Sequence, residues 1–234
     1  MFRFKQFRVT DDGATMRVGT DGVLVAALAP TLPRGRILDI GTGCGVVALI
    51  LAQHNPNSTV DAVEIDGQSA AVAAQNFANS PWSERLRVFG TSAQEFARTA
   101  SGYDLIVSNP PFFADSLKSP HEKRNLARHN DSLTFDELAT AVKQLLSPEG
   151  RFTAILPCNE ADTLAETARN KGLFLLNSCN IYSKPQGNAL RKVITMGSME
   201  TVETKISELY IHNSDGSFSE QYRSLTSDLY LWEK

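Results

Sequence analysis

Cysteine is scarce in this sequence. Three occur in 234 residues, Cys44, Cys158 and Cys179, too far apart for a zinc site or a disulfide framework. They are expected to be reduced packing residues. None stands beside a histidine in a motif that would make it a nucleophile, and no metal is expected. An excess of positive charge is lacking too. Lys and Arg number 23 against 26 Asp and Glu, a net charge of -3, which excludes a protein that coats nucleic acid by bulk electrostatics. Long apolar runs are missing: nowhere do about eighteen apolar residues follow one another, so no membrane span is expected. The first nine residues interleave Phe2, Phe4 and Phe7 with Arg3, Lys5 and Arg8, unlike the apolar stretch of a signal peptide. A cytoplasmic location is the expectation. There is no repeat and no low-complexity segment.

What remains is an ordinary globular composition, 42% hydrophobic and 21% charged. The length suits one domain over 1–234, read as an N-terminal extension (1–30) on a core (31–234). Strand candidates at 36–40, 59–65, 86–89, 103–108 and 151–156 alternate with helix candidates at 46–52, 68–78, 93–98, 134–146 and 160–170. Thr134 and Glu137 form a capping box, and Pro148-Glu149-Gly150 is expected to end that helix. A further helix is expected over 23–29. Beyond 173 the pattern turns β-rich, at 173–182, 191–196 and 206–211, with a short closing helix or turn after 218. Strands alternating with helices predict a parallel sheet covered on both faces, with ligands at the carboxyl ends of its strands.

Two motifs fall at such ends. The first strand runs into Gly41-Thr42-Gly43-Cys44-Gly45, whose missing side chains let backbone approach a ligand, ahead of a helix N-terminus. Glu64, with Ile65 beside it, closes the next strand, where a carboxylate can accept both hydroxyl hydrogens of a ribose. The spacing is G-x-G-x-G, not the G-x-G-x-x-G of dinucleotide sites. Asp39 before the turn suits an ammonium and would repel a pyrophosphate. Both features favour S-adenosylmethionine, with a dinucleotide as the alternative.

The fourth strand ends in Asn109-Pro110-Pro111-Phe112. A conjugated nitrogen is a poor nucleophile until its lone pair is turned out of conjugation. The Asn109 side-chain oxygen and the Pro110 carbonyl can bind its two hydrogens and orient it, proline stiffness fixes those oxygens, and the Phe112 ring offers a stacking surface. A 20-residue loop over 112–131 follows, long enough to be functional. It carries Lys118, Lys123, Arg124 and Arg128. His121 and His129 in it are read as exposed and inert, and Trp82 and Trp232 as packing residues. Adenine, guanine and glutamine all fit this motif.

The chain resembles the bacterial valine-tRNA adenine-37 N6-methyltransferases, a subset of class I S-adenosylmethionine-dependent enzymes. The segments that carry the resemblance are Phe4-Lys5-Gln6-Phe7, Met16-Arg17-Val18-Gly19-Thr20-Asp21-Gly22, Leu38-Asp39-Ile40-Gly41, Ser80-Pro81-Trp82, Ser108-Asn109-Pro110-Pro111-Phe112 and Ala127-Arg128. The glycine and Asn-Pro-Pro motifs assign only the superfamily. The N-terminal segments and Ser-Pro-Trp point to the narrower group. The resemblance implies a Rossmann-like α/β fold with a mostly parallel seven-stranded sheet, helices on both faces and an antiparallel C-terminal edge. It implies methyl transfer to the exocyclic amine of the adenine beside the anticodon, with Thr20 and Asp21 close to the cofactor; Asp21 could equally cap the helix at 23–29. Ser92 stands where the group often has Asp to bond the cofactor's adenine, so the Ala93 backbone is expected to share that role. Phe112 stands where Tyr is common, and relatives with Phe also act on guanine. An adenine in a structured loop must be turned out of its stack, which backbone contacts can offset. Arg3, Lys5, Arg8, Lys123, Arg124 and Arg128 are the candidates for those phosphate contacts. The expected partner is tRNA, with no DNA, membrane or obligate protein partner. The alternatives are a glutamine N5-methyltransferase of release factors and a guanine N2-methyltransferase of rRNA.

Overall fold

The computed structural model describes residues 1–111 and 133–232. Two short strands, β1 (Phe2–Arg3) and β2 (Arg8–Val9), pair as a hairpin, and α1 (Thr20–Leu28) follows. Strands and helices then alternate: β3 (Arg36–Ile40), α2 (Val46–His54), β4 (Thr59–Glu64), α3 (Gly67–Ala78), β5 (Leu86–Gly90), α4 (Ala93–Phe96), β6 (Tyr103–Ser108), α5 (Phe135–Leu145), β7 (Leu146–Leu156) and α6 (Cys158–Arg169). The chain closes with β8 (Phe174–Tyr182), β9 (Ala189–Gly197), β10 (Lys205–Tyr210) and α7 (Glu220–Leu225).

The main sheet runs β10-β8-β9-β7-β6-β3-β4-β5, and every pairing is parallel except those of β9. The Rossmann-like α/β class holds, with two corrections. The sheet has eight strands among the described residues, not seven, and its antiparallel strand lies inside while the edge strand β10 is parallel to β8. The connections explain this. A short link makes β9 antiparallel to β8, and β9 ends beside the start of β8, at the pair Phe174↔Gly197. Residues 198–204 then need only pass that end for β10 to begin alongside β8.

Period-two alternation sorts the strand residues onto two cores. Ile37, Leu105, Val107, Ile155 and Val193 pack with α1, α2 and α3, whereas Leu38, Ile40, Ile106, Ala154, Leu156 and Ile194 pack with α4, α5 and α6. The capping box that starts α5 is present, with Glu137 N donating to Thr134 Oγ1 at 3.2 Å and Thr134 N to Glu137 Oε2 at 2.8 Å. Pro148-Glu149-Gly150 does not separate helix from strand. Strand β7 begins at Leu146, opposite Tyr103, and regular pairing resumes at Arg151 opposite Leu105. The proline sits in that irregularity, where no ladder donor is required.

The N-terminal hairpin is fastened by aromatics. Phe4 stacks on Phe7 at 4.5 Å and on Tyr230 of the C-terminal tail at 5.8 Å, and Phe7 meets Trp82 edge-on at 5.5 Å. Ser80 Oγ donates to Phe77 O and accepts from Trp82 N, which fixes the turn that presents Trp82. The hairpin and Ser80-Pro81-Trp82 are therefore two sides of one contact. Among the described residues, no helix is long and apolar enough to cross a membrane.

Candidate active site

Sheet register alone assembles the crevice. Ile40 pairs with Ser108 on one side and Val63 on the other, and Glu64 pairs with Gly90. The residues that follow, Asn109, Gly41, Glu64 and the Thr91-Ser92 turn, thus stand in a row at the carboxyl ends of β6, β3, β4 and β5. Ser108 Oγ donates to Ile40 O at 2.9 Å and ties the start of Asn-Pro-Pro to the start of the glycine turn. Two adjoining chambers open there, of about 430 and about 280 Å³. The larger is lined by Glu64, Ile65, Ser92, Ala93, Pro110 and Pro111 among others, and the smaller by Thr20, Asp21 and the turn. Gly41, Gly43 and Asn109 line both.

The turn needs its glycines for different reasons. Gly41 and Gly43 have φ of 74° and 55°, and a Cβ on Gly41 would meet nothing within 4 Å, so it would occupy ligand space. Gly45 has φ 87°, and a Cβ there would lie 2.6 Å from the Phe77 ring of α3. Gly45→Ala is therefore expected to destabilise the fold by about 2–4 kcal/mol, combining left-handed strain with overpacking. Urea unfolding with an unchanged m-value checks it; a midpoint equal to that of the parent protein would contradict the packing described here.

Glu64 is almost fully buried, and its carboxylate is held by backbone. Oε2 accepts from Gly43 N at 2.8 Å and Oε1 from Asp66 N at 2.9 Å, leaving further lone pairs toward the chamber. Asp66 serves the fold instead. It caps α3 by accepting from Ser69 N and Ser69 Oγ, both at 2.7 Å, and these bonds lower its pKa. Ile65, 58% exposed, presents an apolar wall beside Glu64.

Asp39 lines neither chamber. It is fully buried on the α1–α3 side of β3 and accepts from the Thr42 hydroxyl, so it supports the turn from beneath. Burial pushes its pKa from 3.8 up to about 7, the Thr42 bond opposes that rise, and the charge of Glu64 adds to it. Between these values the folded state binds the proton that the unfolded chain has released. Asp39 therefore favours folding most below about pH 4, and that contribution is lost as pH rises toward about 7. The melting temperature of Asp39→Asn minus that of the parent protein should rise from about pH 5 to about pH 8. A difference flat with pH would show that the carboxyl titrates normally.

Asn109 and the two prolines after it stand at the exit of β6. The Asn109 Oδ1 atom is buried and has no hydrogen-bond partner among the described residues. Its Nδ2 donates to Met16 Sδ at 3.8 Å. Thr15 and Met16 also enter the crevice, as do Thr91, Gln94 and Glu137; Met16 opens one of the segments that carry the family resemblance, but nothing in the sequence assigns its side chain a role. Ser92 Oγ is committed to capping α4 through Glu95 N at 3.2 Å. Asp21 caps nothing: α1 already begins at Thr20, and Asp21 Oδ2 accepts from Arg191 Nε at 2.8 Å. Arg3, Lys5 and Arg8 are exposed on the hairpin and do not line the chambers, and Lys5 Nζ also donates to Ser227 O. Phe112, Lys118, His121, Lys123, Arg124, Arg128 and His129 lie outside the described residues. The three cysteines are free, and burial pushes Cys44 up to about 11, which suits a packing residue.

A backbone cradle open at Gly41, a backbone-held carboxylate suited to a vicinal diol and an apolar wall fit S-adenosylmethionine. Residues 15–155 match the family model of the methyltransferase small domain. Fold, site and match together define the class: an S-adenosylmethionine-dependent methyltransferase with the class I fold. Over 98% of its length the chain is 42% identical to the tRNA1(Val) (adenine(37)-N6)-methyltransferase of Bacteroides fragilis, covering 97% of that protein. It is 40% identical to the protein of the same name from Pedobacter heparinus, with 98% and 97% of the two chains covered. The chain belongs to the tRNA1(Val) (adenine(37)-N6)-methyltransferase family. The crystal structure of a predicted O-methyltransferase from Agrobacterium tumefaciens shares the fold, with a TM-score of 0.69 over 92% of this chain and 99% of that one at 17% identity.

Proposed function

We propose that this protein transfers a methyl group to the exocyclic N6 amine of adenine 37 in the anticodon loop of a valine tRNA. The observation that carries the reading is the buried Oδ1 of Asn109, unpartnered among the described residues, at the carboxyl end of β6, next to the glycine turn. An acceptor with no partner in such a place costs free energy unless a ligand donates to it. The amine of adenine brings two N–H donors, one for Asn109 Oδ1 and one for the Pro110 carbonyl. Held at both, the nitrogen is drawn toward tetrahedral geometry, which localises its lone pair toward the methyl group; as the N–C bond forms the S–C bond breaks, and the amine proton leaves afterwards to solvent, so no general base need act first.

When bound, S-adenosylmethionine supplies a methyl group on a sulfonium, open to in-line attack. Glu64 would hold the ribose hydroxyls, Ile65 and Ala93 would flank the adenine, with Ser92 beside them, and Thr20, Asp21, Gly41 and Gly43 would surround the amino-acid end. Asp39 and Gly45 would act by shaping the turn. Pro111 stiffens the motif, and Phe112 would stack on the target base. Arg3, Lys5, Arg8, Lys123, Arg124 and Arg128 would contact phosphates, which predicts binding that weakens as salt rises. The whole chain would work as one domain in the cytoplasm, with residues 1–30 built into the site.

Incubating the protein with methyl-labelled S-adenosylmethionine, unmodified small RNA and a release factor tests the substrate class. Label is expected in the RNA, as N6-methyladenosine. Label in a release-factor glutamine or in guanosine would overturn the reading.

A further inference from the structure

Two side chains of α3 that line neither chamber fasten the segment between the N-terminal hairpin and α1. Asn76 is buried; its Oδ1 accepts from Thr10 N at 2.9 Å, and its Nδ2 donates to Thr10 O and to Cys44 O, both at 2.8 Å. One amide thus joins the N-terminal arm to the glycine turn. Seven residues earlier on the same helix face, Ser69 Oγ accepts from Thr15 N at 3.0 Å. The next residue of the arm is Met16, which lines both chambers and meets the amide of Asn109 through its sulfur.

That contact has a direction. Turning the Asn109 amide by 180° exchanges its oxygen and nitrogen. A thioether has lone pairs and no proton, so it can only accept. Facing Met16, the nitrogen finds an acceptor, while Oδ1 is left buried and unpartnered. Turned over, oxygen would face sulfur, lone pair against lone pair, and the NH2 group would face the donors of an incoming amine. The contact is weak, but both ends of the amide change for the worse together. We propose that Met16 is a positioning residue that sets the amide orientation of Asn109, carried to its place by the arm that Asn76 fastens.

The inference rests on reading Asn109 Oδ1 as the acceptor for the substrate amine, and a double-mutant cycle separates the two. Met16→Leu keeps an apolar side chain of similar size and removes the acceptor. With S-adenosylmethionine and an unmodified valine tRNA transcript, its single-turnover rate is expected to fall about tenfold, with cofactor affinity within about twofold. In an Asn109→Ala background, where no amide is left to orient, Met16→Leu should change the rate by less than about twofold. A Met16→Leu rate equal to that of the parent protein, or the same tenfold loss in both backgrounds, overturns the inference alone. An Asn109→Ala protein as fast as the parent overturns the reading of Asn109 and this inference with it.

Discussion

Replacing Asn109 with alanine should lower the rate of methyl transfer by about 10²–10³-fold and leave cofactor affinity within about threefold. The size follows from what is lost. The acceptor is already buried and aimed, so it needs no rearrangement when the amine arrives, and such preorganised groups at a reacting centre are worth about 3–4 kcal/mol. The loss should appear in the rate rather than in folding, because Asn109 is only half-buried and, among the described residues, its side chain's one hydrogen bond is the weak one to Met16. Single-turnover transfer to saturating tRNA measures this directly. A rate within about threefold of the parent protein would mean that orientation is supplied elsewhere.

Glu64→Ala is the second large effect, and it belongs to binding. Its carboxylate would accept from both ribose hydroxyls, and hydrogen bonds to a charged acceptor contribute about 1.5–3 kcal/mol each. The dissociation constant for S-adenosylmethionine is expected to rise at least about a hundredfold. Part of that rise comes from the turn, since Gly43 N and Asp66 N lose their partner. Calorimetric titration reads it without any RNA. Affinity within about threefold of the parent would reduce Glu64 to a turn support.

Features set by local chemistry were legible in the sequence. Glycine at alternate positions after a strand, an acidic residue closing the next, and asparagine before two prolines each announce a strand exit. Parallel register then brings these exits together without further information. Features set by distant contacts were not legible. Asp39 read as a ligand because it precedes the turn, yet strand parity turns it toward the α1–α3 core, under Thr42. Asp21 read as a cofactor contact or a cap, and its observed partner, Arg191, lies 170 residues away. Met16 stood in a segment that carries the resemblance, but its contact with Asn109 had no pattern to mark it, since its place depends on Asn76 and Ser69 gripping Thr10 and Thr15 from another helix. The eighth strand was seen as an extended stretch, but its parallel pairing on the far side of β8 follows from where β9 ends. The contact of Phe7 with Trp82, which joins the hairpin to Ser80-Pro81-Trp82, is likewise visible only in the structure.

Transfer to one atom of one base can be read directly. Unmodified valine tRNA should be incubated with the protein and S-adenosylmethionine, cut into defined fragments and analysed by nucleoside mass spectrometry. One added methyl group is expected, on N6 of adenosine 37, forming about 10²–10³-fold more slowly with the Asn109→Ala protein. Methylation of a guanosine, of an adenosine at another position, or of position 37 by the Asn109→Ala protein at the parent rate would contradict that expectation.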